Sequence, residues 1–245
     1  MALFTCPITR VTRETPRNRL VSLTAAGTVF TFEAGQYVQL GDHGQGERKP
    51  YSVACAPARF QETGVLEFLI QVDGNESAGP HLARLAAGRL VVVEGPSGSF
   101  VLPADLRARS VLFVGGGTGI APLRSMLWQV LERMPLVAVA VLQSARTPDE
   151  LSYAGELRAL AAAGRIRLVE TVTRDAPDSW SGARGRIDVD QLSLVLGGPD
   201  TLCYVCGPDS LVEDVPRLLE DLGVAARNIR TERWADQAAA AAEQG

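Results

Sequence analysis

The run Val111-Leu-Phe-Val-Gly-Gly-Gly-Thr-Gly-Ile-Ala-Pro122 constrains the fold more than any other part of the chain. Val111 to Val114 are continuously apolar, as in a parallel strand covered on both faces. Gly115, Gly116, Gly117 and Gly119 follow with only Thr118 between them, and Leu123, Met126, Leu127, Val130 and Leu131 then recur at helical spacing. Pro122 suits the first position of that helix, where a missing N–H loses no partner. Strand, glycine turn and helix in this order build an anion cradle. Glycine lets backbone N–H groups approach a phosphate, and the helix N-terminus adds partial positive charge. The spacing is not G-x-G-x-x-G, because Ile120 stands where the third glycine belongs. It is G-x-G-x-G-x-x-P, carried by Gly115, Gly117, Gly119 and Pro122.

The 245 residues allow one large or two small domains, and the rhythm of the chain changes near residue 105. Before it, short β-type runs (Arg19 to Thr24, Tyr37 to Leu40, Tyr51 to Val53, Val65 to Val72, Leu90 to Val93) alternate with Gly and Pro. Such spacing predicts an antiparallel barrel or sandwich. One short helix is expected from Gly79 to Ala87, with Leu82 and Leu85 on one side. After residue 105 strands and helices alternate, which predicts a parallel sheet with helices on both faces. Strands are expected at Leu136 to Leu142, Ile166 to Thr171 and Leu202 to Val205. A helix is expected from Asp149 to Ala163, stopped by Gly164. A last helix is capped by Asp209, and Pro216 inside it either kinks it or lies on its exposed side. The Ala-rich segment 235–245 reads as a flexible tail.

Hydrophobic residues make up 46% of the chain, enough for a core, and the net charge of −4 argues against a nucleic-acid binder. No basic segment followed by a long apolar stretch opens the chain. The best apolar run, Leu136 to Leu142, is far below the roughly 20 residues of a membrane span. Four Cys form no disulfide framework, so a reduced, cytoplasmic protein is expected. Cys203 and Cys206 have the spacing of half a metal site. No second pair exists, however, and residues three apart in a strand face opposite ways, so no metal is expected. Cys206 does end its strand, where open α/β sheets place ligands.

Three further segments complete a pattern: Lys49-Pro50-Tyr51-Ser52, Gly95-Pro-Ser-Gly98-Ser-Phe100, and Cys206-Gly207-Pro208. With the glycine loop and Glu232-Arg-Trp234, and in this order, they resemble the ferredoxin–NADP reductase superfamily of flavoprotein reductases over about residues 3–234. The resemblance implies a flavin-binding antiparallel β-barrel, 1–104, followed by a nicotinamide-binding α/β domain, 105–234. It implies FAD rather than FMN, and NADPH or NADH as hydride donor. Lys49, the only Lys of the chain, replaces the family's Arg; it offers phosphate a point charge without the bidentate fork, and Arg48 is placed to share the role. The resemblance further implies that Tyr51 stacks on the isoalloxazine and that Ser52 hydrogen-bonds near its N5. Ser77, Ala78 and Gly79 meet a flavin phosphate at a helix start. Gly115 to Gly119 (with Gly116 and Thr118), Pro122, Gly207 and Pro208 hold the nicotinamide nucleotide. Cys206 borders its C4, Glu232 relays protons or orients Ser52, and Trp234 covers the other flavin face. His81, a lone helical His by this reading, is expected on the surface. Ser144, Arg146 and Arg174 end the second and third α/β strands, with no acid before Asp149, which favours a 2′-phosphate and hence NADPH. Electrons are expected to pass to a ferredoxin, a flavodoxin or an oxygenase component. The alternatives are a stand-alone flavin or small-molecule reductase, or a relay subunit of a larger complex. The oligomeric state stays open.

Overall fold

In the first half of the chain, apolar side chains two residues apart meet in one core. They are Cys6 and Ile8, Val21 and Leu23, Val38 and Leu40, Leu66, Phe68 and Ile70, and Val91 and Val93. Two residues is the strand period. The computed structural model, which describes residues 2–174 and 176–233, places them on β1 (Ala2–Arg13), β2 (Asn18–Thr24), β3 (Tyr37–Asp42), β5 (Val65–Gln71) and β6 (Leu90–Ser97); β4 (Lys49–Ser52) completes the set. The order is β4-β3-β6-β1-β2-β5, every neighbouring pair antiparallel. The two edges approach each other where the Ala54 N–H donates to the Glu67 carbonyl at 2.8 Å, so the sheet is a nearly closed barrel. Helix α1 (Pro57–Thr63) drops Phe60 against Phe30 at 5.7 Å between ring centroids.

The second half is a parallel sheet in the order β10-β9-β8-β7-β11-β12. Its strands are β7 (Ser110–Gly116), β8 (Ala138–Ala145), β9 (Arg167–Val172), β10 (Ala183–Arg184), β11 (Leu202–Gly207) and β12 (Ile229–Arg233). Alternate residues of these strands serve two cores. Val111, Phe113, Val139, Val141, Tyr204 and Cys206 pack with α2 (Ile120–Arg133) and α3 (Ala154–Ala162). Leu112, Val114, Ala140, Leu142, Cys203 and Val205 pack with α4 (Val189–Val195) and α5 (Asp209–Asp221). Cys203 and Cys206 therefore serve opposite faces. The α2 core also takes in Ala34, Ala54, Leu69, Phe100 and Leu102 of the barrel half, so the two halves share apolar contact. Chain order runs outward from β7 through β8 and β9, then returns to β11 on the other side. The strand order thus reverses between β7 and β11, where open α/β sheets form their ligand crevice.

Several local expectations are corrected. Residues 79–87 are not helical: the His81 carbonyl accepts from the Asp42 N–H at 2.6 Å and the Ala83 N–H donates to Asp42 Oδ2 at 3.2 Å. Backbone groups that a helix would pair internally are drawn to the end of β3 instead. The short helix lies earlier, at α1, with Pro57 in its first turn and Gly64 closing it at φ 66°. Helix α2 opens at Ile120 after a 3₁₀ turn over Gly117–Gly119, so Pro122 is its third residue. Strand β8 begins at Ala138, and Leu136 is exposed. The long helix expected from Asp149 is a 3₁₀ turn, Pro148–Glu150, followed by α3 from Ala154. It is interrupted because Tyr153 takes a left-handed φ of 58° and gives its N–H to Glu14 Oε1 of the barrel at 2.6 Å. Pro208 occupies the cap position of α5 and Asp209 its first turn; Pro216 is half-buried within that helix. Trp234 and residues 235–245 lie outside the described residues.

Candidate functional site

The switch in strand order sets the geometry. Cys206, near the end of β11, pairs in register with Gly115 of β7 on one side and Glu232 of β12 on the other. Their loops pack so closely that side chains are excluded. A Cβ on Gly119 would stand 2.3 Å from the Cys206 carbonyl oxygen, and one on Gly207 would stand 3.2 Å from the Gly116 backbone. The glycines therefore serve two ends, letting the two loops touch and leaving the N-terminus of α2 open to a ligand.

Two clefts open onto this point. The larger, about 790 Å³, brings together Pro50, Tyr51 and Ser52 of β4, Ser77, Ala78 and Gly79, and from the other half Thr118, Gly119, Pro122 and Cys206. The smaller, about 580 Å³, is lined by Gly116, Gly117, Thr118, Ser144, Arg146, Arg174 and Pro208. Segments far apart in sequence thus share walls. Gly115 and Gly207 line neither cleft; they lie in the packed contact behind them.

On the barrel side, the Tyr51 hydroxyl and His81 Nε2 are hydrogen-bonded at 2.8 Å, with the two rings 5.8 Å apart and 20° from parallel. His81 is 1% exposed, not on the surface as expected from the sequence. Burial, and then the Lys49 charge, lower its pKa below the ordinary 6.5, so it is held neutral. No local sequence signal marks it, because its partner is thirty residues away. Arg48 pairs with Glu94 at 2.8 Å, while Lys49 stands 3.6 Å from Glu47 and half-exposed; neither lines the clefts. The 73–79 loop is shaped by Asp73 Oδ1, which accepts the Asn75 and Ser77 N–H groups at 2.8 and 3.0 Å. Ser77 Oγ in turn accepts the Gly79 N–H at 3.0 Å. That N–H is already taken, and no helix follows, so the phosphate contact expected of a helix start at Gly79 is not available from its backbone N–H.

Across the cleft, burial and then the Glu232 carboxylate push the Cys206 thiol far above its ordinary pKa. It remains a neutral thiol, a shaped wall and not a nucleophile. Glu232 is 8% exposed, and its charge, after burial, also raises Tyr37, the register partner of Ser52. In the smaller cleft Arg146 Nε donates to Glu150 Oε2 at 2.7 Å. An acid thus joins the arginines there, together with Asp214, Arg186 and, from the barrel, Arg17. Sequence reading missed these residues; only the positions of Asp149 and Glu150 just past β8 hinted at one of them.

A barrel offering an aromatic ring and hydroxyls, facing a glycine loop at the switch point of a parallel sheet, defines a two-domain flavin- and nicotinamide-binding oxidoreductase. The chain matches the oxidoreductase FAD-binding domain over residues 6–102 and the oxidoreductase NAD-binding domain over residues 113–217. It is 34% identical over 220 residues to ferredoxin–NADP reductase B of Sorangium cellulosum, covering 86% of this chain and 88% of that one. It is 31% identical over 204 residues to the gamma subunit of sulfhydrogenase 1 of Pyrococcus furiosus, covering 82% and 67%. The crystal structure of the Amycolatopsis cytochrome P450 reductase GcoB superposes with a TM-score of 0.81 at 29% identity, covering 95% of this chain and 70% of that one. The chain belongs to the ferredoxin–NADP reductase superfamily. It is an NAD(P)H-dependent FAD oxidoreductase. Among the described residues no helix is long and apolar enough to cross a membrane.

Proposed function

We propose that this protein takes a hydride from NADPH onto its FAD and hands the electrons singly to a ferredoxin-type iron–sulfur protein. The observation that carries the first half is the larger cleft, where Tyr51 and Ser52 of the barrel face Thr118, Gly119 and Cys206 of the other domain across one space. The donor set fits a flavin: an aromatic face, a hydroxyl and a neutral thiol, with glycines that bring backbone close. When bound, FAD supplies the hydride-accepting N5 and the change from two-electron to one-electron transfer. The chain supplies position. Tyr51, braced by His81, and Ser52 would hold the flavin ring from the barrel side. Cys206, a neutral thiol in the cleft wall, would border the nicotinamide and help exclude water there. Glu232, in register with Cys206, places a carboxylate beside this wall, where it relays protons or orients Ser52. Lys49 lies outside the cleft lining but is freer than Arg48 to reach a flavin phosphate, because its pairing with Glu47 is exposed and therefore weak.

The ferredoxin reading is supported by the relative at 34% identity, whose length this chain nearly spans and whose name is a ferredoxin–NADP reductase. A relay role within a larger complex is the second reading, favoured by the likeness to the sulfhydrogenase subunit. Anaerobic protein reduced by NADPH in a stopped-flow instrument is expected to be reoxidised rapidly by ferredoxin and slowly by free FMN or dioxygen. Reoxidation by FMN or dioxygen alone would overturn the ferredoxin reading.

NADPH is preferred because the smaller cleft presents four arginines against Glu150 and Asp214. A 2′-phosphate, with a charge of about −1.5 to −2, displaces Glu150 from Arg146 more readily than ribose hydroxyls do. Replacing Arg146 and Arg174 together by Glu is expected to raise the Michaelis constant for NADPH by roughly a hundredfold or more and to leave that for NADH nearly unchanged. Equal use of NADPH and NADH by the wild type would remove this preference and assign Glu150 to the ribose.

A further inference from the structure

The four arginines of the smaller cleft are not equivalent. Arg146 is held by Glu150, and Arg186 stands 3.8 Å from Asp214. Arg17 and Arg174 have no acid partner among the described residues. Arg174 follows β9 and belongs to the α/β domain. Arg17 comes from the barrel, from the turn between β1 and β2, and it lines both clefts. Among the described residues only Gln71 and Thr118 share that position, so these three mark the junction where one cleft passes into the other.

The turn that carries Arg17 is rigid. Thr15 Oγ1 accepts the N–H groups of Arg17 and Asn18 at 3.3 and 3.0 Å. Arg19, buried and paired with Glu76, donates through Nη1 to the Thr15 and Asn18 carbonyls at 3.1 and 3.0 Å. The turn is also tied to the other domain on both sides of Arg17. Glu14 Oε1 accepts the Tyr153 N–H at 2.6 Å, and Asn18 Nδ2 donates to Ser152 Oγ at 3.0 Å. Glu14 and Arg19 are thus engaged, while the exposed Arg17 side chain lines the junction with no acid partner among the described residues.

Given the reading above, in which the nicotinamide end lies by Cys206 and the 2′-phosphate end by Arg146 and Arg174, the dinucleotide must cross this junction. The part that crosses is its middle, the diphosphate. Thr118, at the start of α2, meets it from one side. We propose that Arg17 is a diphosphate-binding residue for the nicotinamide dinucleotide, supplied across the domain boundary by the flavin-binding barrel. Two consequences separate it from Arg146 and Arg174. The diphosphate is common to NADH and NADPH, so Arg17 serves both equally. A guanidinium in the barrel also makes the bound dinucleotide bridge the two domains directly.

The test measures binding of NAD⁺ and NADP⁺ to the oxidised, FAD-loaded protein by calorimetry, for the wild type, Arg17→Gln and Arg17→Lys. Arg17→Gln is expected to weaken both dinucleotides by the same factor, roughly tenfold to a hundredfold. Arg17→Lys recovers part of the loss, and adenosine 2′-monophosphate binds all three proteins alike. Affinities within twofold of the wild type in Arg17→Gln would overturn the proposal. So would a loss confined to NADP⁺, which would make Arg17 a 2′-phosphate residue, or a loss of FAD with dinucleotide affinity retained, which would assign it to the flavin. A wild-type protein that binds neither dinucleotide overturns the reading of the clefts itself, a result distinct from all of these. Matching urea midpoints for wild type and Arg17→Gln are expected, because the side chain is exposed.

Discussion

Tyr51→Ala is expected to weaken FAD binding by roughly a hundredfold, read by fluorescence recovery of released flavin on dilution. Removing the ring takes away its burial against the flavin and the stacking beyond it, together about 3 kcal/mol. Tyr51→Phe separates the ring from its hydroxyl. It keeps the stacking face but leaves His81 Nε2, now hydrogen-bonded at 2.8 Å, buried without a partner. That loss falls mainly on stability, about 1–3 kcal/mol, with a smaller effect on FAD affinity. The pH dependence has a definite sign. The folded pKa of His81 lies below the ordinary 6.5, so the unfolded chain binds this proton more readily. Stability from neutral His81 is complete above about pH 6.5 and declines as the pH falls toward the folded value. His81→Gln should flatten that decline. FAD affinity unchanged in Tyr51→Ala would remove Tyr51 from the flavin site.

Arg124→Met is expected to lower stability in urea denaturation by about 3–5 kcal/mol, the usual result of stripping one partner from a buried charge network. Arg124 follows Pro122 by two residues on α2 and sits at the joint between the domains. Its Nε and Nη2 donate to the two Glu156 oxygens, each at 2.8 Å. Its Nη1 reaches the Ala54 carbonyl at 2.8 Å and Glu67 at 3.1 Å across the boundary. The guanidinium lies 4.7 Å from the centroid of the Tyr153 ring. Without it Glu67 and the Ala54 carbonyl lose this donor, and Glu156 is left with the Trp128 Nε1–H, at 3.0 Å. Ser125 Oγ, donating to the Cys55 carbonyl at 2.6 Å, remains as the adjoining tie. Arg124→Lys keeps the charge but not the fork, and a loss between wild type and Met is expected. Because α2 begins at the glycine loop, the Met variant should also slow hydride transfer in single-turnover mixing. A stability change below about 1 kcal/mol would show that the network is solvated and slack.

The features legible in the sequence are those set by neighbours along the chain. Val111 to Pro122 announces strand, turn and helix because continuous apolarity, glycine and helical spacing are local properties. The opposed directions of Cys203 and Cys206 follow from the two-residue period alone, and the structure gives them to different cores. Pro57 and Gly64 bracketed α1 just as plainly, although the helix was expected elsewhere. What tertiary structure decided are the groups whose partners are distant. Asp42 turned residues 79–87 away from helix, and Glu14 broke the helix before Ala154. The fold buries His81, and a hydroxyl thirty positions away pairs its Nε2, which offsets part of the cost. Glu150 is visible as a residue, but its grip on Arg146 is not, because it depends on the 3₁₀ turn Pro148–Glu150 bringing the carboxylate back to the end of β8. Arg17 has no motif at all. Its place depends on a rigid turn being carried to the reversal point of a sheet built nearly a hundred residues later, which no local periodicity encodes.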